Sequence, residues 1–253
     1  MGEGEGEGEL AIMPDFRGKV ALVTGVGRVG QIGHAIAQGL GRAGAKLVLA
    51  DRAAEMLTVR VREFAAEGVT ARLAAGDLTV PDAARAAVAV ATREFGGLDV
   101  VVNVAGGLFS FGDFLQLKPE QVELELAANV KTAVFVSQAA IPALIARGGG
   151  AIVNFSSIAV LRPLAQMAAY SAAKWAVAGL TRALAREFRD QRVRVNAVAP
   201  TAVRTTDNVA QMKPDAQTRL VELADLVAAV LFLASDEAQG VSGQILPVTG
   251  KDV

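Results

Sequence analysis

The chain has no cysteine and only one histidine among its 253 residues. Without cysteine there is no disulfide, no thiolate metal ligand and no cysteine nucleophile, a composition that fits a reducing cytoplasm. His34 follows an Ile-Gly pair at the start of an expected helix and has no second histidine to cluster with. It is read as a surface or helix-end residue, and no metal site is expected. An excess of one charge is also missing: 25 Lys and Arg stand against 26 Asp and Glu, scattered along the chain. That leaves no electrostatic footprint for nucleic acid or an anionic membrane. No uninterrupted apolar stretch reaches the roughly 18 residues needed to cross a bilayer, and the N-terminus lacks the basic and apolar regions of a signal peptide. The expectation is a cytoplasmic protein with a small-molecule partner, no nucleic acid and no membrane.

What is present is apolar material, 52% of the sequence, enough for one continuous core. Gly2 to Glu9 repeat Gly-Glu, too polar and flexible to join that core, so residues 1–14 are read as a disordered tail or an expression remnant. Residues 15–253 are read as a single domain. Short apolar runs at Val20 to Thr24, Leu47 to Asp51, Leu98 to Asn103, Ala151 to Phe155 and Val193 to Val198 read as buried strands. Weaker strands are expected near Ala71 to Ala75 and Gln244 to Val248. Helix-length segments lie between them, and Gly148-Gly149-Gly150 reads as a helix-to-strand turn. Parallel strands need crossover connections and are buried on both sides. The expected fold is therefore α/β: a doubly wound, seven-stranded parallel sheet with helices on both faces. Ligands of such sheets bind beyond the carboxyl ends of the strands, where the winding reverses.

The first strand runs into Thr24-Gly25-Val26-Gly27-Arg28-Val29-Gly30-Gln31-Ile32-Gly33. Glycines there permit a tight turn and let a pyrophosphate approach backbone N–H groups at a positive helix end. Gly25, Gly27, Arg28, Gly30 and Ile32 are candidates for that contact, although glycines also make ordinary turns. Asp51 ends the next strand, about 20 residues on, where a carboxylate can accept from the adenosine ribose hydroxyls. This favours NAD(H) over NADP(H). Arg28 and Arg52 could instead offer a countercharge to a 2′-phosphate, and Asp51 could be a helix N-cap. Asp77 and Leu78, after the third strand, are placed beside the adenine, with the same capping alternative for Asp77.

Tyr170-Ser171-Ala172-Ala173-Lys174 sets a tyrosine and a lysine one turn apart on one helix face, with Ser157 upstream after a strand. Each element alone is common. Together, in order and behind a strand-glycine-helix segment, they resemble the short-chain dehydrogenase/reductase family over nearly the whole chain, from about Phe16 to Val248. The resemblance implies a Rossmann-type dinucleotide-binding catalytic domain. Carbonyl reduction needs a proton at the oxygen where charge develops, and Tyr170 would supply it, or act as base in the oxidising direction. The Lys174 ammonium should favour the phenolate and bring Tyr170 nearer working pH. By the same resemblance, Lys174 also holds the nicotinamide ribose and Ser157 steadies the substrate oxygen. Asn129 helps hold a water linking the lysine to solvent, unless it is a helix-disrupting structural residue.

Asn103-Val104-Ala105-Gly106 resembles the family's motif beside the cofactor, with Val104 replacing a second Asn, a change that alters sheet support more than chemistry. Asn103, Ala105 and Gly106 therefore join the cofactor candidates, as do Tyr170, Lys174, Pro200 and Val203. Two departures stand out. The glycine loop has two more residues before Ile32-Gly33 than the commonest spacing, leaving open whether Gly27 or Gly30 faces the pyrophosphate. Thr201 replaces the usual glycine after Pro200, which restricts the loop approaching the nicotinamide.

The segment from Thr201 to about Leu220 occupies the place of the family's mobile substrate lid. Leu161, Leu164 and Met167 suggest an apolar pocket wall or ordinary packing. Phe232 to Glu237 and Ser242-Gly243-Gln244 resemble the branch of 3-oxoacyl-acyl-carrier-protein reductases and related secondary-alcohol and sugar dehydrogenases, which implies a carbonyl or alcohol substrate, with a 3-oxoacyl thioester favoured. A dihydropteridine-reductase-like enzyme is the enzymatic alternative, and an idle dinucleotide-binding sensor the non-enzymatic one. The resemblance also implies a homotetramer or homodimer, with Leu226 to Leu233 and Ile245 to Val248 available for contacts.

Overall fold

The computed structural model describes residues 14–252; the Gly-Glu repeat lies outside them. From Val20 onward the chain alternates strand and helix. The elements are β1 (Val20–Thr24), α1 (Ile32–Arg42), β2 (Lys46–Asp51), α2 (Ala54–Ala66), β3 (Ala71–Ala75), α3 (Pro81–Phe95), β4 (Val100–Asn103) and α4 (Pro119–Leu126), followed by a π-helical turn (Ala127–Lys131). They continue with α5 (Thr132–Ala146), β5 (Gly150–Phe155), α6 (Ala168–Glu187), β6 (Val193–Pro200), α7 (Thr206–Gln211), α8 (Leu223–Ala234) and β7 (Ile245–Val248).

All seven strands are parallel in one sheet of order β3-β2-β1-β4-β5-β6-β7, with β1 and β4 side by side at the point where the winding reverses. The fold class read from the sequence is the one observed. All seven expected strands are present, β1 and β3 with the expected limits, while β4 begins at Val100 rather than Leu98 and β6 runs on to Pro200.

The central strands are mostly apolar and buried because they face two cores, whereas the edge strands β3 and β7 are partly exposed. In β1, Ala21 and Val23 point to one cluster with Leu47 and Leu49 of β2, Ile36 and Leu40 of α1, and Phe64 of α2. Val20 and Leu22 point the other way, to Val48 of β2, Ala84 and Val88 of α3, and Val136 and Leu144 of α5. This period of two is what a sheet covered on both faces requires. Each such Val, Leu or Ile contributes about 1.5–3 kcal/mol by leaving water.

Helix boundaries follow local signals. Pro81 and Pro119 sit in the first turns of α3 and α4, where the missing N–H costs nothing, and Gly96 closes α3 in the left-handed conformation at φ 79°. Pro119–Ala146 is one continuous helical rod, long and apolar enough by composition to cross a bilayer. In this protein it is a core helix. α5 packs against α3 and the sheet, and the first half carries Glu120, Glu123, Glu125 and Lys131. At the N-terminal end of the sheet, Asp99 accepts from the Val20 amide at 2.8 Å and from Arg147 Nε at 3.0 Å, tying β1 to the end of α5.

Candidate active site

The segments after the carboxyl ends of β1, β2, β4, β5 and β6 converge. Gly25 has φ 74°, and a Cβ there would stand 3.2 Å from the Ala105 backbone, so the turn after β1 lies hard against the strip after β4. A Cβ on Gly33 would approach the Gly25 carbonyl oxygen to 2.2 Å. Only glycine lets α1 start this close to β1. Gln31, the N-cap of α1, makes no side-chain cap, and the first turn holds no acidic residue. The first-turn amides and the positive end of the helix dipole are therefore left for an anion, which fits a dinucleotide pyrophosphate.

Asp51 closes this cradle. Its carboxylate accepts from the Gly27 amide at 2.9 Å and the Ala53 amide at 3.2 Å. A Cβ on Gly27 would stand 3.1 Å from Asp51 Oδ2. Gly30, at φ 71°, lies instead against Thr206 of α7, whose amide donates to the Gly30 carbonyl at 3.0 Å. The longer glycine loop is thus taken up by contact with the start of α7. Two side-chain bonds reinforce it: Gln31 Nε2 donates to Thr206 Oγ1 at 2.6 Å, and Arg28 is ion-paired with Asp207. Ile32 opens α1 and packs on the core, whereas Arg52 is exposed.

Asp77 uses one oxygen to accept from the Thr79 amide at 2.9 Å and its hydroxyl at 2.7 Å, and these bonds hold its carboxyl below the ordinary range. These bonds close a turn on Thr79 and do not cap α3, whose N-cap is Val80; Leu78 beside it is buried. Asn103 donates to Asn154 Oδ1 at 2.9 Å and to Ser137 Oγ at 3.2 Å, and Asn154 donates to Thr181 Oγ1 at 2.9 Å. This buried ladder joins β4, β5, α5 and α6. Asn103 Oδ1 is buried without a hydrogen-bond partner among the described residues. Thr24 Oγ1 accepts from the amides of Val104 at 3.0 Å and Ala105 at 2.9 Å, setting the strip that leads to Gly106. Pro200 closes β6 opposite Val248. Val203 is buried and bridged to Val221.

Ser157, just past β5, is buried and accepts from the Ala159 amide at 3.2 Å, capping a short 3₁₀ turn. Tyr170 and Lys174 lie one turn apart on α6. Lys174 is buried and donates from Nζ to the Phe155 carbonyl at 3.0 Å, with Nζ 5.5 Å from the centre of the Tyr170 ring. Burial lowers the Lys174 ammonium to about 8, a fall that the charge of Glu125 opposes. Burial raises the Tyr170 phenol above its ordinary value; the hydrogen bond with Ser157 pulls it down and the Glu125 charge pushes it up. The expected drop of Tyr170 under the lysine's influence is therefore absent in this state. The reason is burial of the phenol, which outweighs the hydrogen bond with Ser157, while the ammonium donates to the Phe155 carbonyl.

Asn129 occupies the π-turn between α4 and α5, a local widening of the helix of the kind found at functional sites. Its Nδ2 donates to the Gly107 carbonyl at 2.9 Å, and its Oδ1 accepts from the Gly107 amide at 3.1 Å. Gly106 has φ 138°, and a Cβ there would come within 2.5 Å of Asn129 Oδ1. The sequence reading missed Glu125, buried one turn before Asn129. It also missed Thr24 and the Thr206–Asp207 latch. Glu125 was legible only as an acidic residue at i−4 from Asn129, and the latch joins residues remote in sequence. The broad groove under the N-terminal ends of β4 to β6, lined by Arg147, Arg182, Arg186, Arg189 and Arg192, lies at the opposite end of the sheet and contains none of these groups.

Residues 19–217 match the family model described as short chain dehydrogenase. The chain is 38% identical over 243 residues to the 2,5-dichloro-2,5-cyclohexadiene-1,4-diol dehydrogenase LinX of Sphingobium indicum, covering 92% of this chain and 95% of that one. Among solved structures, a 7α-hydroxysteroid dehydrogenase complexed with NADH and 7-oxo glycochenodeoxycholic acid superposes with a TM-score of 0.87 at 31% identity, over 93% of this chain and 94% of the other. A gluconate 5-dehydrogenase from Burkholderia cenocepacia, in complex with NADP and tartrate, gives a TM-score of 0.87 at 31% identity over 94% and 96%. The chain belongs to the short-chain dehydrogenase family and is an NAD(P)-dependent oxidoreductase.

Proposed function

We propose that the protein interconverts a cyclic secondary alcohol or diol and its ketone, using NAD(H) in preference to NADP(H), with Tyr170 as the proton-transfer group. The observation that carries the substrate class is the apolar rim beside the Tyr170 site. Leu108, Phe109 and Phe111 on one strip, and Leu161 and Leu164 on the other, expose large apolar surface. The two strips are joined by the Gly112 amide, which donates to the Gln166 carbonyl at 2.9 Å. Such a rim suits a compact hydrocarbon ring better than a sugar. The ring substrates in the names of two relatives support the same class. Neither points to the 3-oxoacyl thioester that the sequence motifs favoured, which becomes an arm of the test.

The nicotinamide supplies or accepts the hydride. The chain positions the substrate oxygen between Ser157 and Tyr170, and Tyr170 gives its proton to the oxygen during reduction or takes one during oxidation. Lys174 carries the neighbouring positive charge that stabilises the phenolate left behind. Lys174 would hold the ribose hydroxyls of a bound nucleotide through Nζ, which here donates to the Phe155 carbonyl. Asn129 holds the far side of the site through Gly107. Asp51 supports the NAD preference: a carboxylate ending β2 attracts ribose hydroxyls and repels a 2′-phosphate, and Arg28 is already neutralised by Asp207.

The protein assembles as a homodimer or homotetramer in this reading. β7 is the sheet edge beyond β6, partly exposed and with no strand on its outer side among the described residues, and Phe232 of the adjoining α8 is exposed. Covering such an edge is a common use of a second copy. The deciding assay compares NAD⁺ with a cyclohexanediol, NADH and NADPH with an acetoacetyl thioester, and the same reactions with a sugar and a pteridine. Turnover of the ring alcohol at the highest kcat/KM supports the proposal, and a preference for the thioester returns the substrate to the acyl class.

A further inference from the structure

Glu125 is fully buried, yet no Lys or Arg side chain makes an ion pair with it among the described residues. Its Oε1 accepts three hydrogen bonds: from the Phe109 amide at 2.7 Å, the Ser110 amide at 2.7 Å and the Ser110 hydroxyl at 3.0 Å. Its Oε2 accepts from Asn129 Nδ2 at 3.0 Å, and the same amide reaches the Glu125 carbonyl at 3.0 Å. Every side-chain contact is with a donor, the pattern of a carboxylate. Burying a charge is costly unless hydrogen bonds and a compensating charge repay it.

We propose that Glu125 is a positioning residue of the reaction: its carboxylate locks the 107–110 strip and the Asn129 carboxamide into one unit and places a negative charge facing Lys174 and Tyr170. The inference rests on the reading of Tyr170 and Lys174 as the proton-transfer pair. Holding the strip does not by itself require a charge. A glutamine could accept from Phe109 and Ser110 through its oxygen, but its NH₂ would then confront Asn129 Nδ2, donor against donor. Only the carboxylate accepts on both sides.

The charge acts where the mechanism is sensitive. α4 packs against α6, which presents Tyr170 and Lys174. The 107–110 strip contributes amides and the Ser110 hydroxyl but no titratable group, and the segment from Ser157 to Val160 contributes none either. Glu120 and Glu123 on the same helix and Lys131 at the end of the π-turn are exposed. Glu125 is thus the buried charge that counteracts the desolvation of Lys174, and it simultaneously opposes ionisation of Tyr170. Its removal should make the lysine easier to neutralise and the tyrosine easier to deprotonate.

Tyr170 is the sole tyrosine of the chain, so tyrosinate ultraviolet absorbance reports it without turnover or substrate. The experiment titrates the purified full chain and its Glu125→Gln and Glu125→Asp variants, with circular dichroism to verify folding at each pH. The expected result is a Tyr170 midpoint lowered by about one pH unit in Glu125→Gln and unchanged in Glu125→Asp. The limb of the kcat profile for alcohol oxidation should move the same way. Glu125→Asp, which keeps the charge but shortens the lock, is expected to lose about tenfold in kcat with KM little changed. An unchanged midpoint in folded Glu125→Gln overturns the inference. Should that variant not fold, wild-type kcat in Glu125→Asp overturns it equally. An active Tyr170→Phe enzyme would instead remove the proton-transfer reading, while the titration would still report whether Glu125 faces Tyr170.

Discussion

Arg28 in the turn after β1 is ion-paired with Asp207 at the start of α7, so the glycine loop and the segment after β6 are latched together. The pair is partly exposed, at 58% and 36% of side-chain area, and an exposed pair is worth at most about 1 kcal/mol. In the proposed NAD-preferring site its larger consequence would be selectivity, because it occupies the arginine of the glycine loop itself. Asp207→Asn should free Arg28 and raise the NADP-to-NAD ratio of kcat/KM by up to about fivefold. Steady-state kinetics with both nucleotides checks this. An unaltered ratio would show that Arg28 does not reach the 2′ position.

Asp51 should matter more. Its carboxylate accepts from the Gly27 amide, and in the proposed cofactor site a ribose 2′-phosphate would bring a second negative charge beside it. Asp51→Ser is expected to move the same ratio toward NADP by about 10- to 100-fold, since like charges a few ångströms apart in a partly screened site cost on the order of 2 kcal/mol. Loss of affinity for both nucleotides alike would assign Asp51 to the loop and not to selectivity.

Lys174 gives a stability prediction with a definite sign. Its ammonium falls from 10.5 in the unfolded chain to about 8 when folded. Below pH 8 both states are protonated and the burial cost is fully present, up to about 3 kcal/mol. Between pH 8 and 10.5 the unfolded chain binds more protons, so stability rises with pH. Tyr170 works in the opposite sense above pH 10, because its folded value is raised and the unfolded phenol ionises first. The wild type should therefore gain stability from pH 8 to 10 and lose it beyond. Lys174→Met should be inactive, more stable at pH 7, and lack the rise between pH 8 and 10. Denaturant unfolding at a series of pH values distinguishes the two, and parallel curves would contradict the burial account.

How much of this was legible in the sequence depended on whether the signal was local. β1 was read to the residue because its apolar run ends at the Gly25 turn, while β3, interrupted by Arg72, was placed only as a weaker strand near its observed limits. The Tyr170–Lys174 spacing gave a shared helix face directly. β4 was drawn too long at its start because Leu98 is apolar for a different reason: it fills the core below the sheet while Asp99 turns back to bind β1 and Arg147. The role of Gly30 could not be read, since its neighbour Thr206 is far along the chain. Nor could the direction of the Tyr170 shift, which depends first on how deeply the fold buries the phenol and then on Ser157 and a buried glutamate contributed by another helix.

The central claim is that Tyr170 transfers the proton. Trp175, the sole tryptophan, neighbours Lys174 and is half-exposed, so its fluorescence can report nucleotide binding separately from turnover. The measurement is kcat and NADH affinity for wild type and Tyr170→Phe with the best ring ketone. The account predicts a fall in kcat of about 10²- to 10⁴-fold with NADH affinity essentially retained. A Tyr170→Phe enzyme that binds NADH normally and turns over at the wild-type rate would contradict it.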